Sequence, residues 1–362
     1  MKTANSPVTK SKDILSIKKI IVSGHENVVY CEDKDTGLKA IIAIHDTTLG
    51  PALGGTRMWN YSNKEDALND VLRLSRGMTY KAAISGLKLG GGKAVIIGDS
   101  KTQKDKKLMC KFGQFVDSLN GRYITAEDVG MSTKDMEYVR SETKYVTGIP
   151  ESMGGSGDPS PVTAYGVYMG MKAAAQFKWG NNNLKDKKIL IQGVGHVGEN
   201  LLMHLTNEGA SVIINDINKE HLSNISKKYN AKIALDENIY DLDIDIYAPC
   251  ALGATVNPDT ISRLKCDIIA GAANNQLADE DRDGKLCLDK GICYAPDFLI
   301  NAGGLINVYS EINGYDRDHS IQQTREIYDT TLEILKKADN EGIPTNDAAL
   351  KIAKQRISNK NK

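Results

Sequence analysis

The sequence predicts a two-domain α/β protein, and three observations carry that reading. The chain is 362 residues long, which suits two domains better than one. From Lys187 onward, short apolar runs near 188–192, 211–215, 244–247, 267–271 and 292–294 alternate with helical patterns, as in a parallel sheet with helices on both faces. Between the halves, residues 143–159 are dense in hinge-forming residues (Gly148, Pro150, Gly154, Gly155, Gly157, Pro159). The expected divisions are 1–148, 149–335 and a C-terminal helical piece, 336–362. Composition excludes several classes. The 46 basic residues balance 46 acidic ones, so nothing points to nucleic acid or an anionic membrane. No apolar run approaches the ~20 residues of a membrane-spanning helix. The polar, lysine-bearing residues 1–12 read as a frayed tail and not as a signal peptide. The six cysteines show neither C-x-x-C spacing nor a histidine at ligand distance. They read as reduced thiols of a cytoplasmic protein without a metal.

The elements follow in order. Apolar runs at 28–31 and 38–45, separated by Asp35-Thr36-Gly37, read as a hairpin or meander. Asn63 caps a helical pattern with Ala67, Leu68, Val71, Leu72 and Ser75 on one face. A three-glycine turn, Gly90-Gly91-Gly92, leads through Lys93 into a strand at 94–97. Residues 104–119 are helical and 122–125 form a short strand. Ser160 caps a helix with Pro161 at its first position, running to about Phe177. Residues 319–357 are helical and amphipathic, with Ile321, Tyr328, Leu332 and Leu335 at helical spacing and a break at Gly342-Ile343-Pro344.

Two motifs carry chemistry. Lys81 and Lys93 stand twelve residues apart, the second directly after the glycines. Glycine lets backbone approach a ligand closely. Lysine is the base whose pKa falls most readily on burial, so one of the pair can move a proton while the other holds a carboxylate. The second motif, Gly193-Val194-Gly195-His196-Val197-Gly198, follows a strand and opens a helix. Its glycines suit a tight turn, the approach of a pyrophosphate, and helix–strand packing, with the helix N-terminus facing the phosphates. Asp216 ends the next strand, 23 residues after Gly193, where its carboxylate would accept the adenosine ribose hydroxyls and repel a 2′-phosphate. Ile217 and Asn218 add no arginine, so the expected cofactor of this Rossmann-type domain is NAD and not NADP. Lys88 reads as a surface lysine and Cys250 as a packed small residue. His196 is expected to be exposed.

With these motifs in place, the chain resembles the amino-acid dehydrogenases of the glutamate/leucine/phenylalanine/valine family, over residues 20–355 and nearest the leucine branch. The resemblance is carried by residues 50–58 (GPALGGTRM), Met78-Thr79-Tyr80-Lys81, residues 90–93 (GGGK), residues 125–130 (TAEDVG), residues 160–166 (SPVTAYG), the Gly193 loop, residues 248–253 (APCALG), residues 272–276 (AANNQ) and residues 301–304 (NAGG). It implies an N-terminal α/β domain for substrate binding and oligomerisation, a Rossmann-type NAD domain, and C-terminal helices returning to the first. It implies reversible oxidative deamination of an amino acid to a 2-oxo acid and ammonium. It places the substrate carboxylate on Lys81, the catalytic lysine at Lys93 and the proton-exchanging aspartate at Asp128. Gly54 and Asn275 fall to the substrate; Thr163, Ala251 and Asn274 fall to the cofactor. Asp128 also reads as a cap before Ser132, and Asn274 and Asn275 as turn residues. A homo-oligomer, up to an octamer, is implied.

Leu53, Ala126, Leu305 and Val308 are the residues expected at the side-chain end of the pocket. All are apolar, which favours a hydrophobic substrate over an acidic one. In the family, Ala126 suits a branched aliphatic chain where the phenylalanine branch tends to glycine; the alternative substrate is phenylalanine or another hydrophobic amino acid. Leu305 replaces an expected valine, Asp158 an expected asparagine, and Met169 an expected basic residue. A shikimate-type dehydrogenase leaves Lys81 and the Gly90 motif unexplained together. A non-enzymatic NAD sensor predicts decay of the lysines, and both lysines and Asp128 are present.

Overall fold

A computed structural model describes residues 16–234 and 236–360. The tail expected at 1–12 lies outside the described residues.

The first sheet contains β1 (Ser16–Ile20), β2 (Asn27–Asp33), β3 (Leu38–Asp46), β4 (Ala52–Trp59), β5 (Gly90–Ile97) and β6 (Tyr123–Glu127), with α1 (Lys64–Ile84), α2 (Lys106–Asp117) and α3 (Thr133–Arg140). Its order is β1-β2-β3-β5-β4-β6. The β1, β2, β3 and β5 pairings are antiparallel, whereas β5, β4 and β6 run parallel. Asn63 caps α1, its side chain accepting from the Asp66 amide.

Strand alternation decides what the two faces carry. Ile42, Ala94, Ile96 and Met58 pack with Phe112 and Phe115 of α2 on one face. Ile41, Ala43 and Val95 pack with Ala67 and Val71 of α1 on the other. By the same period of two, Leu53, Gly55, Arg57, Lys93 and Ala126 belong to the α1 face, and the last turn of α1 holds Lys81.

The glycines before Lys93 form the start of β5 and not the expected turn. They are needed because the strand is crowded on both sides. A Cβ at Gly91 would lie 2.1 Å from the Thr79 amide nitrogen, and one at Gly92 would lie 2.7 Å from the Tyr123 ring. The glycine-rich β4 is likewise a strand that local propensity does not announce; its Gly54 backs onto the Gly92 carbonyl, where a Cβ would come within 1.7 Å.

The second sheet is built from β7 (Lys188–Gln192), β8 (Ser211–Asn215), β9 (Lys232–Ile233), β10 (Ile246–Pro249), β11 (Ile268–Ile269) and β12 (Cys293–Tyr294). All its pairings are parallel, in the order β12-β11-β10-β7-β8-β9. The strand order reverses between β7 and β10, the switch point where doubly wound sheets bind ligands. The helices are α4 (Ser160–Trp179), α5 (His196–Glu208), α6 (Lys219–Tyr229), α7 (Pro258–Arg263), α8 (Glu280–Asp289), α9 (Asp297–Ile300) and α10 (Gly303–Ser310), then α11 (Arg317–Arg325), α12 (Ile327–Glu341) and α13 (Thr345–Asn359).

Ser160 is already inside α4, and the carboxylate of Asp158 accepts from its amide at 2.9 Å. The expected division after residue 335 falls inside α12, which runs unbroken to Glu341; the chain breaks at 342–344. Helix α13 then returns to the first sheet's helix α1, where Arg356 Nη1 donates to the Ile84 carbonyl at 2.5 Å. Glu311, just beyond α10, accepts from the amides of Gly148 at 3.0 Å and Ser156 at 2.9 Å, tying the hinge segment to the second sheet's helices.

Candidate active site

Between the two sheets lies a cleft of about 620 Å³ whose walls include Lys81, Lys93, Asp128, Asn274 and Asn275. Lys93 leaves β5 on the α1 face, while Asp128 follows directly on β6, which is separated from β5 only by β4. That register brings Lys93 Nζ to 2.9 Å from Asp128 Oδ2. The Lys93 side chain is only 7% exposed. Burial lowers its pKa, and the Asp128 charge opposes that shift without cancelling it. For Asp128, burial works to raise the pKa, but Lys93 and Arg57 overcome it and hold the carboxyl below its ordinary range.

Lys81 enters from α1. Its Nζ donates to Asn301 Oδ1 at 2.6 Å, and burial lowers its pKa to about 8, against the charge of Asp297. The Asn301 amide donates onward to Asn274 Oδ1 at 2.8 Å and to the Ala272 carbonyl at 3.1 Å. Asp297 is buried; burial raises its pKa against the Gln276 and Phe298 amides, which it accepts at 3.1 and 2.7 Å, and against the charge of Lys81. The cleft's electrostatics are therefore those of two desolvated lysines, each with a carboxylate of opposite charge in its field.

Leu53, Ala126, Leu305 and Val308 all line the same cleft. They are brought together by β4–β6 pairing, with Leu53 opposite Ile124 and Gly55 opposite Ala126, and by α10, whose buried residues include Leu305 and Val308. The cleft lining thus combines the two lysines and Asp128 with four apolar side chains. Gly54 is not on the lining; its neighbour Gly55 is. Asn275 lies in a left-handed backbone conformation (φ 52°) on the cleft wall.

The glycine loop stands apart from this lining, at the C-terminal end of β7. Val194 is fully buried, Val197 packs against the core and His196 is exposed, its Nδ1 3.8 Å from Asp158 Oδ2. Gly193 (φ 99°) abuts Ala251, where an added Cβ would lie 2.6 Å from the alanine methyl. A Cβ at Gly198 would lie 2.0 Å from the Gly193 carbonyl oxygen, whereas one at Gly195 would meet open space. Gly195 is also the cap residue of α5, which has no side-chain cap, so the helix presents bare amides there. The donor set therefore fits a phosphate group. Asp216 Oδ2 accepts from the Val194 amide at 2.9 Å and Oδ1 from the Asn218 amide at 2.9 Å, which fixes the carboxylate beside the loop. Thr163, in the first turn of α4, donates to the Pro159 carbonyl at 2.9 Å; a Cβ at Gly304 would lie 2.9 Å from its hydroxyl oxygen.

Sequence reasoning left Arg57, Asp297 and Asn301 without roles. Arg57 and Asn301 sit inside motifs already noted, GGTRM and NAGG; a polar residue within such a motif was the available signal. Asp297 carried none. Among the described residues no group of three or more His, Cys, Asp or Glu is placed to hold a metal, and all six cysteines are free. Burial pushes the Cys250 thiol up to about 12, as for a packed residue. No helix among the described residues is long and apolar enough to cross a membrane.

The comparisons agree with this geometry. Residues 25–145 match the family model described as Glu/Leu/Phe/Val dehydrogenase, dimerisation domain, and residues 154–218 and 214–362 match Glutamate/Leucine/Phenylalanine/Valine dehydrogenase. The leucine dehydrogenase of Thermoactinomyces intermedius is 54% identical, over 92% of this chain and 91% of its own. The valine dehydrogenase of Streptomyces albus is 48% identical, over 92% and 93%. The crystal structure of L-tryptophan dehydrogenase from Nostoc punctiforme superposes with a TM-score of 0.84 at 47% identity, over 93% of this chain and 97% of that one. The chain belongs to the Glu/Leu/Phe/Val dehydrogenase family and is an amino-acid dehydrogenase.

Proposed function

We propose that the protein catalyses NAD-dependent, reversible oxidative deamination of the branched-chain L-amino acids leucine, isoleucine and valine. The observation that carries this reading is the make-up of one cleft lining, which brings Lys81, Lys93 and Asp128 together with the apolar Leu53, Ala126, Leu305 and Val308. Lys81 binds the substrate carboxylate, whose arrival restores the ammonium form that burial disfavours. Asp128 exchanges a proton with the substrate nitrogen. Lys93, its pKa lowered, takes a proton from the water that attacks Cα, and the resulting ammonium stabilises the carbinolamine oxygen. A bound nicotinamide supplies the hydride acceptor. The chain would hold that cofactor with Gly193 to Gly198, Asp216, Ala251, Thr163 and Asn274, while Asn275 serves the substrate. The bare α5 amides and the acidic Asp216 without a neighbouring arginine support NAD.

We further propose divisions at 148/149 and near the 342–344 break, a homo-oligomer assembled through the first domain, and a cytoplasmic setting supported by the six free thiols. The test is NADH formation with leucine, isoleucine, valine, phenylalanine and glutamate, each with NAD⁺ and with NADP⁺. The expected result is turnover led by a branched-chain substrate with NAD⁺. Turnover led by phenylalanine overturns the pocket reading, and turnover led by NADP⁺ overturns the Asp216 reading.

A further inference from the structure

We propose that Arg57 is a positioning residue for the deamination step: it clamps one oxygen of Asp128 and so dedicates the other to the substrate nitrogen. The proposal rests on the reading of Asp128 as the proton-exchanging group.

Arg57 Nε lies 3.1 Å from Asp128 Oδ2, the same oxygen that Lys93 Nζ meets at 2.9 Å. Asp128 Oδ1 has no hydrogen-bond partner among the described residues. A carboxylate held by a single cation can rotate and present either oxygen. Two cations converging on Oδ2 from different strands define which oxygen remains. One ammonium proton can then pass from the substrate nitrogen to Oδ1, and the same proton returns to nitrogen before ammonia leaves Cα.

Arg57 is itself fixed at its far end. Nη1 donates to Asp70 Oδ2 at 2.9 Å, an oxygen that also accepts the Tyr61 hydroxyl at 2.7 Å, while Arg73 meets Asp70 Oδ1 at 3.0 Å. The planar guanidinium fork thus bridges two carboxylates, a geometry lysine cannot reproduce. Tyr61 and Asp70 are not on the cleft lining, whereas Arg57 itself lines the cleft with Lys93 and Asp128. An ion pair made only for stability has no need of that position.

The charge acts in the same sense as the geometry. Arg57 helps hold Asp128 ionised and helps lower the Lys93 pKa. The other groups in the Asp128 field are Lys93 on β5, Lys81 on α1, Tyr123 on β6, and Tyr61 beyond β4. Asp70 on α1 acts on Lys93. Loss of the Arg57 charge therefore raises both Asp128 and Lys93, and moves the acidic limb of the rate profile upward whichever group defines it.

The test uses the full-length enzyme, its cofactor and leucine. Arg57→Met is expected to lower kcat by on the order of 10²-fold, with cofactor affinity unchanged. The acidic limb of kcat/KM moves to higher pH. Arg57→Lys keeps the charge but loses the fork, so kcat falls while the limb stays near its original place. Millimolar guanidinium partly restores Arg57→Ala. Tyr61→Phe, which leaves every ion pair intact, lowers kcat by a small factor and secures the test should the Arg57 variants fold poorly. An Arg57→Met enzyme with an unmoved limb and no guanidinium rescue of Arg57→Ala overturns the proposal, as does wild-type kcat in Tyr61→Phe together with Arg57→Lys. Asp128→Asn separates the two readings. If it retains wild-type turnover and profile, the role of Asp128 itself falls; if it is inactive while the Arg57 variants behave as wild type, only the role of Arg57 falls.

Discussion

Lys81 and Asn301, 220 residues apart in the chain, are joined by a 2.6 Å hydrogen bond that crosses from the helix of the first sheet to the edge of the second. The bond orients the ammonium that is proposed to receive the substrate carboxylate, and Asn301 is itself held by Asn274 and the Ala272 carbonyl. Asn301→Ala is expected to raise the KM for the amino acid with a smaller effect on kcat. A hydrogen bond to a charged group contributes about 1.5–3 kcal/mol, so roughly a ten- to hundredfold fall in kcat/KM is expected. Steady-state kinetics at fixed saturating cofactor measures it, and an unchanged KM would count against the assignment of Lys81.

The pH dependence follows from the same residue. Burial sets Lys81 near 8 in the free enzyme: below that pH it is a cation, above it a neutral amine that holds a carboxylate poorly. The profile of kcat/KM reports free-enzyme groups, so it should bend downward above about pH 8, through a rising KM. Lys81→Met should remove that bend along with most of the affinity. A bend that persists in Lys81→Met assigns it to another group.

Ala126 tests the apolar part of the cleft lining. Ala126→Gly opens space opposite Gly55 on β4 and should shift the kcat/KM ratio from leucine toward phenylalanine. Pocket changes of this size alter discrimination by about 1–3 kcal/mol, so a shift of roughly tenfold or more is expected from competition assays. An unshifted ratio would mean the substrate side chain does not reach β6.

Asp216 tests the cofactor reading. Asp216→Ala should weaken NAD⁺ binding and narrow its advantage over NADP⁺, because the variant removes the repulsion that a 2′-phosphate would meet. Fluorescence titration of NADH and NADPH reads both affinities directly. Equal losses for the two would argue that Asp216 serves only the Val194 amide it accepts.

Gly91 tests the packing that delivers Lys93. Gly91→Ala places a methyl 2.1 Å from the Thr79 amide nitrogen, where only backbone can move. Overpacking of this kind costs about 1–3 kcal/mol or more. Thermal denaturation should show a lowered midpoint together with reduced activity, since α1 carries Lys81 as well as Thr79. A variant with an unchanged midpoint would show that α1 can shift away from β5 without loss.

Local chemistry made some of this legible in the sequence. The Gly193 loop declares itself because its glycines are bunched within six residues, Gly193 and Gly198 at close approaches and Gly195 facing open space, and Asp216 sits one strand later. Asn63 announces α1 because a side-chain cap is a contact three residues long. The alternation of apolar runs past Lys187 requires a parallel sheet, and the strand order found is the doubly wound one. Lys81 and Lys93 could be singled out by residue type and spacing, and the resemblance added Asp128.

Tertiary structure decided what those signals could not reach. The run Gly90-Gly91-Gly92 reads as a turn by propensity, yet it is a strand, because Thr79 and Tyr123 press on it from elements that are remote in sequence. Arg57 meets Asp70, and Asn301 meets Lys81, only when β4 and the link between α9 and α10 are brought against α1, and no local pattern encodes a hydrogen bond spanning 220 residues. The same physics explains the lysines themselves. Their identity and spacing are properties of the chain, but a pKa of about 8 for Lys81 exists only once folding has removed its water.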